Sequence, residues 1–391
     1  MTSLSLLDPQ DWNFPVPIRY GPGRLGEMTQ VCRTCGVNRP LLVTDRGSRD
    51  LPFVGGTAER LSQAGLACTV FSEISPNPRD DEVAAGKAAF QAGGHDGVLA
   101  IGGGSGMDGA KAICLVAHNE IPLLDFDFTK PPPAGSEDSA FPPLITVPTT
   151  AGTGAETEGA SMITDTARMM KLCVAHEAIR PAATILDPEI TRGLPRNLTA
   201  WTGCDALVHA IEAYCVPNFH PLCDGSALEG LRLIWRWLPT AVEQPDNLEA
   251  RGGMLVGSCL AGIAFLNGLG LVHAISHMVG AEFDTHHGLT NAVVLPSVLR
   301  FNEASIRAKV GPMAEAMDLP DRSFATFYDA VCRRLDALKI PRTLTDIGVV
   351  DADAAGLAQK AMEDAAVETN PHPTTPAELE QLIREALDFG R

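Results

Sequence analysis

The sequence predicts an open α/β domain built on a parallel sheet over residues 1–190, followed by an all-α domain over 191–391. Three observations lead there. Short, β-branched apolar runs alternate with helical stretches through the first half. Beyond about residue 190 those runs give way to helical periodicity. Proline and glycine punctuate the chain between the two regimes, in TRGLPRN at 191–197. A chain of 391 residues also exceeds what one ordinary core holds.

Taken in order, RPLLVTD (39–45) reads as a strand and ACTVFSEI (67–74) as the next, with helix-compatible sequence between them. DEVAAGKAAFQAGG (81–94) is a helix with a glycine stop. DGVLAIGGG (96–104) is a third strand running into a glycine turn, and PLITVPTT (143–150) is a fourth. Strand, helix, strand at this spacing makes the sheet parallel and doubly wound. KPPPAGSEDSAFPP (130–143) reads as a surface loop. LPRNLTAWTGCDALVHAIEAYCV, SALEGLRLIWRWLPTAVEQ, EARGGMLVGSCLAGIAFLNG and TFYDAVCRRLDALK then carry helical periodicity.

Composition narrows the function. Contents of 45% hydrophobic and 20% charged residues are those of a soluble globular protein. A formal net charge of -18 argues against nucleic acid and anionic membrane surfaces as partners. No run of about 18 apolar residues occurs, so no transmembrane helix is expected. MTSLSLLDPQDWNFP (1–15) lacks the basic start and long apolar core of a signal peptide. With ten scattered cysteines, that points to reduced thiols in a cytoplasm. Cys32 and Cys35 form a CxxC with no second pair at zinc-ribbon spacing and no thioredoxin-like context, so they are read as structural.

The chemistry concentrates in GCDALVHAIEAY and HAISHMVGAEFDTHHGLTNAVVLP. Of only ten histidines, four (His273, His277, His286 and His287) fall within fifteen positions. Asp205 and His209 are four apart in a helical pattern and point off one face. Asp205, His209, His273 and His287 make a ligand set of one carboxylate and three imidazoles, suited to Fe²⁺ or Zn²⁺. Spacing alone does not choose His273 over His277. Glu212, beyond His209, either accepts a hydrogen bond from a ligand imidazole or pairs within the helix packing.

LAIGGGSGMDGAKAI (99–113) is a strand, a glycine turn and a helix start. Gly102, Gly103, Gly104 and Gly106 allow positive φ and close backbone approach. Free N–H groups at the helix start would attract a diphosphate. Asp45, at the end of the first strand, could hold a ribose diol and repel a 2′-phosphate. Asp125 and Asp127, downstream, are alternatives for that acid. PTTAGTGAE (148–156) places Thr149, Thr150 and Thr153 in a second turn, as a wall of the cofactor site or as helix caps.

Together these motifs, with ILDPEI and the late TNPHP, resemble the group III, iron-containing alcohol dehydrogenases, from about residue 13 to residue 388. The resemblance implies a Rossmann-like dinucleotide-binding domain followed by a helical metal-binding domain, with the active site between them. It implies Asp205, His209, His273 and His287 as ligands of Fe²⁺ or Zn²⁺, and places His277 beside the nicotinamide. It implies Gly103, Gly104 and Ser105 as diphosphate contacts, with Asp108 and Lys111 in the same motif. Thr149 and Thr150 fall on the nicotinamide side, Lys171 at the ribose, and Asp45 where an aspartate favours NAD(H) over NADP(H). His286 is outside the family pattern. Ala155 stands where serine is usual, and His372 where the late motif often has arginine.

The expected function is hydride transfer between the nicotinamide and a primary alcohol or aldehyde, with the ion acting as a Lewis acid and His277 relaying the proton. Alternatives within the superfamily are a hydroxyacid–oxoacid transhydrogenase and a metal-free, maleylacetate reductase-like enzyme. A homodimer is expected from the family, with pocket walls from Ala160, Ser161, 264–267 and Ala366.

Overall fold

The computed structural model describes residues 16–388 apart from 138 and 169; the segment 1–15, assessed above for a signal peptide, lies outside the described residues. The first half folds as β1 (Ile18–Tyr20), α1 (Met28–Thr34), β2 (Pro40–Asp45), α2 (Pro52–Gln63), β3 (Thr69–Ile74), α3 (Asp80–Ala92), β4 (Gly97–Gly102), α4 (Gly104–Val116), β5 (Leu144–Pro148), β6 (Ala160–Asp165), β7 (Met170–Ala175) and β8 (Ala183–Leu186). Six strands form one sheet in the order β1-β8-β5-β4-β2-β3, with every pairing parallel. β6 and β7 make a separate antiparallel hairpin. The four strands read from the sequence are the contiguous β5, β4, β2 and β3. β1 and β8 escaped that reading because runs of three and four residues show no period.

Both faces of the sheet are covered. Leu42, Leu99, Ile101, Ile145 and Ile185 pack with Val31 of α1 and Leu61 of α2. Their neighbours Leu41, Val43, Val98, Ala100 and Leu144 pack with Val83 of α3 and with Met107 and Ile113 of α4. Two buried faces explain why these strands read as unbroken apolar runs. Each such side chain contributes roughly 1.5–3 kcal/mol on burial, and the two layers together fix the strand ends.

β2 leads outward to β3, whereas β4 leads the other way to β5, so the chain reverses direction between adjacent β2 and β4. Ligands of open parallel sheets bind at such a reversal, outside the carboxyl ends of the strands. Asp45, Gly102 and Pro148 are the last residues of β2, β4 and β5.

The second half is α5 (Arg196–Cys215), α6 (Pro221–Glu243), α7 (Leu248–Ala264), α8 (Leu271–Phe283), α9 (His287–Ala316), α10 (Phe324–Ala337), α11 (Ala354–Ala361) and α12 (Pro376–Asp388), with no strand among the described residues. The α/β sheet followed by a helical body agrees with the fold class expected from the sequence. α5 is buried almost throughout from Thr199 to Cys215 and packs on α6, α7 and α9. A helix apolar on every side belongs in a core, and this one carries Asp205 and His209 inside. Leu248–Asn267 is long and apolar enough to cross a membrane by composition, but most of it is buried, against α5 and α6.

Candidate active site

Side chains from three helices meet in the helical body. Asp205 and His209 on α5, His273 on α8 and His287, the first residue of α9, each place a ligand atom within 4.8 Å of the others. His209 Nε2 lies 4.0 Å and His287 Nε2 3.6 Å from Asp205 Oδ1. Two donors on one ion, at bond lengths of about 2.1 Å, lie roughly 3.4 Å apart in a tetrahedron. The spacing suits a divalent ion after a small contraction.

Each imidazole is oriented through Nδ1. His273 Nδ1 donates to Glu212 Oε2 at 2.6 Å, and His209 Nδ1 donates to the Gly152 carbonyl at 3.2 Å. His287 Nδ1 meets Ser276 Oγ at 3.4 Å. The Nε2 lone pairs are left to face inward. Burial pushes His209 down to about 4 and His287 well below the usual histidine range, so both rings are neutral near pH 7. Asp205, His209 and His273 are buried while His287 is half-buried, which leaves the group reachable from one side.

Asn291 tests the fit. Its Nδ2 lies 2.7 Å from Asp205 Oδ1 and 3.1 Å from Nε2 of both His273 and His287. One amide carries two hydrogens, so three acceptors converge on two protons. That surplus of inward lone pairs is what a cation would satisfy. Asn291 was missed in the sequence, although its place one turn beyond His287 could have flagged it. Glu212 acts as the imidazole acceptor, the first of its two sequence readings.

His277 lies beside the cluster. Its ring stacks on His287 with centroids 5.3 Å apart, and its Nδ1 donates to Asp364 Oδ2 at 2.8 Å. Nε2 is therefore the nitrogen left to exchange a proton. Burial raises the Asp364 carboxyl, but His277 together with the Ala366 N–H and His273 outweighs it and leaves the group lowered. No sequence signal marked Asp364, which is 87 positions from its partner.

Of the residues expected at the cofactor, all but Lys171, which lies on β7, gather at the sheet's carboxyl edge. α4 opens at Gly103 and Gly104 with no capping side chain, so its first N–H groups are open to a ligand. None of Gly102, Gly103, Gly104 and Gly106 has a positive φ, contrary to one reason read for them. What demands glycine is close approach. A Cβ on Gly104 would stand 2.6 Å from Thr153 Cγ2, and one on Gly102 3.0 Å from Asp45 Oδ2. Asp45 also takes the Ser48 N–H on Oδ1 at 2.9 Å. Asp127 is tied to Thr129 and Lys130 and Asp125 is exposed on the short turn Leu123–Phe126, while Asp45 stands against Gly102 at the glycine turn.

The Thr149 N–H donates to the Gly102 carbonyl at 2.9 Å and joins the two turns. Thr150 Oγ1 is buried without a partner, 3.6 Å from where a Cβ on Gly103 would be. An orphaned hydroxyl beside open N–H groups fits a bound polar cofactor. The threonines cap no helix, because 149–159 is irregular. Gly154, at φ +65, packs on Gly262 of α7, and Gly152 packs on Thr202 of α5, so this loop joins the sheet to the helical body.

Four residues, Ser105, Lys171, Asp108 and Lys111, are placed in unexpected ways. The Ser105 hydroxyl donates to the Pro76 carbonyl at 2.6 Å, leaving the backbone N–H as its free donor. Lys171 Nζ donates to Asn77 Oδ1 at 3.1 Å; burial lowers its pKa against the pull of Asp108, Asp205 and Asp284. Asp108 is pushed up to about 7 by burial and faces Lys111 and Lys171. Lys111 donates to Glu158 and to the Ala160 carbonyl, so it belongs to a buried charge cluster. Asn77 was missed, and it also reaches Asp284 across the cleft at 2.5 Å. Of the expected walls, Phe265 packs on His209 at 5.0 Å and Ala366 adjoins Asp364, while Ser161 turns to the Asp108 carbonyl.

A dinucleotide-type sheet edge joined to a buried carboxylate–imidazole cluster defines the class: a metal-dependent, nicotinamide-linked dehydrogenase. Comparison with known proteins agrees. The iron-containing alcohol dehydrogenase model matches residues 15–188, and the C-terminal model of the Fe-containing alcohol dehydrogenase family matches 199–387. The chain belongs to the iron-containing alcohol dehydrogenase family. It is 36% identical to the NAD-dependent methanol dehydrogenase of Bacillus methanolicus, over 96% of this chain and 100% of the relative. The crystal structure of a 1,3-propanediol oxidoreductase superposes with a TM-score of 0.90 at 34% identity, covering 97% of this chain and 100% of the other. A sulfoacetaldehyde reductase from Bifidobacterium kashiwanohense, in complex with NAD+, superposes with a TM-score of 0.85 at 29% identity, covering 97% and 99%.

Proposed function

We propose that the protein interconverts a small primary alcohol and its aldehyde with NAD(H), using Fe²⁺ or Zn²⁺ held by Asp205, His209, His273 and His287. The observation that carries this is the convergence of four ligand atoms, with more inward lone pairs than Asn291 can cap. The bound ion would supply Lewis-acid polarisation of the substrate oxygen, and NAD(H) the hydride. The residues of the chain do the rest. The N–H groups at the α4 start hold the diphosphate; Thr150 Oγ1, expected on the nicotinamide side, lies close enough to Gly103 to join them, while Thr149 and Thr153 shape the wall. Asp45 accepts from the adenosine ribose and disfavours NADP(H). Lys171, steadied by Asn77, contacts the second ribose. Glu212, the Gly152 carbonyl and Ser276 keep three imidazoles in one tautomer. His277 passes the proton at Nε2, with Asp364 holding Nδ1.

Methanol, 1,3-propanediol and sulfoacetaldehyde stand in the names of similar proteins, and they suggest small, mostly polar substrates here. The assembled ligand set runs against the metal-free alternative. A cytoplasmic homodimer remains part of the proposal; the exposed Ile18 and Tyr20 on edge strand β1 support assembly, and sedimentation velocity tests it. The deciding experiment follows NADH consumption over a panel of aldehydes, with protein stripped by chelator and reloaded anaerobically with Fe²⁺ or Zn²⁺. Activity that vanishes and returns with one metal supports the reading. Activity indifferent to metal rejects it in favour of the metal-free alternative.

A further inference from the structure

We propose that the segment from Asp364 to His372 is a strap that positions α8 against α9, with Asn370 as its central positioning residue. This rests on the metal reading above, because α8 carries His273 and α9 carries His287.

Gly270 precedes α8 and offers no capping side chain. The first two N–H groups of the helix are capped from elsewhere. The Leu271 N–H donates to Asn370 Oδ1 at 3.3 Å, and the Val272 N–H to Glu212 Oε1 at 2.8 Å. Glu212 also orients His273, so the helix start and the ligand imidazole share one frame. Asn370 is fixed in turn. It exchanges hydrogen bonds with Asn302 of α9 at 2.9 and 3.0 Å, and its Nδ2 also donates to the His372 carbonyl at 2.7 Å. Both amides are buried and engaged on both ends, which makes their geometry costly to disturb.

The rest of the segment follows the same line. Thr369 Oγ1 donates to the Leu269 carbonyl at 2.7 Å. Gly268, at φ +113, is required there, since a Cβ would meet Thr369 Oγ1 at 2.6 Å. Asp364 holds His277 further along α8. His372, the departure from the family's arginine, meets Ser305 at 3.3 Å and packs on Phe301 with ring centroids 4.9 Å apart, both on α9. The strap thus grips α8 and its lead-in at Leu269, Leu271 and His277, and grips α9 at Asn302 and Ser305. His273 is the third residue of α8, so any shift of the first turn moves its Nε2, and metal bonds tolerate only about 0.2 Å.

The test uses the metal-loaded full chain. Metal release to excess chelator is timed well below the melting temperature, alongside hydrogen exchange of the Leu271 amide. Asn370→Ala is expected to release metal about tenfold faster and to lose protection at Leu271. Asn370→Asp keeps the acceptor for the Leu271 N–H but loses the donor to Asn302 and His372, and is expected to protect the Leu271 amide better than Asn370→Ala while still releasing metal faster than the parent. Phe327→Leu, in the core between α9 and α10, serves as a control of matched melting temperature and is expected to release metal at the parent rate. Parent-like release from Asn370→Ala, or equally fast release from Phe327→Leu, overturns the strap. Should Asn370→Ala not fold, Thr369→Val carries the same comparison. A parent protein that binds no metal defeats the function proposed above, a result distinct from unchanged release in the variant.

Discussion

At the scale of single residues, buried partners decide what the visible ligands can do. Glu212 binds His273 and the start of α8 with one carboxylate. Glu212→Gln should therefore lower metal affinity by about 10–100-fold, measured by chelator competition, with NADH binding unchanged. Glu156 shows the opposite case, a buried acid with Oε1 unpartnered. Burial raises it from 4.5 to about 7. A folded-state value above the unfolded one means the folded chain holds the extra proton between those two values. Stability is then greatest below the lower value, falls as pH rises toward the upper one, and stays reduced beyond it. Glu156→Gln should melt like the parent at pH 4 and exceed it at pH 8 by on the order of 1–3 kcal/mol. Equal melting at both values would remove the acid from the account.

At the scale of elements, two helix starts carry the chemistry. α4 begins at the sheet's carboxyl edge and is pressed against Thr153, so Gly104→Ala has no room to relax except by moving the turn. NADH affinity, read by fluorescence titration, should drop about tenfold or more, while metal content stays at the parent level. Loss of metal in that variant would mean the two sites are coupled through the Gly152–Gly154 loop. The sequence shows the start of α4 and the helix α5 plainly, since glycines after a strand and an i, i+4 pair are local patterns, whereas α8 and α9 were not read as helices. Glu212, Asn291, Asp364 and Asn77 were weighed evenly or missed. Each acts on a partner brought near by packing, and Asp364 meets His277 across 87 positions.

At the scale of the whole molecule, the four proposed ligands come from α5, α8 and α9, so an ion held by them would bind only the folded helical body. Binding at a hundredfold excess over Kd contributes about 2.7 kcal/mol. Stripping the metal should then lower the melting temperature by about 5–10 °C, with NADH binding retained at the sheet edge. An unchanged melting curve after stripping would argue that no ion bridges these helices.

The sequence by itself determined the order of the two halves, four contiguous strands of the sheet, the glycine turn and the ligand residue types. Those are written in unbroken apolar runs, in a periodicity of 3.6 residues and in short motifs, which need no distant contact to be read. The tertiary structure decided which nitrogen of each histidine faces inward, which acid stands at the turn, and why the turn glycines are glycine. These depend on hydrogen bonds and steric approaches between segments far apart in the chain. Such contacts form only once both faces of the sheet and the α5 core are buried.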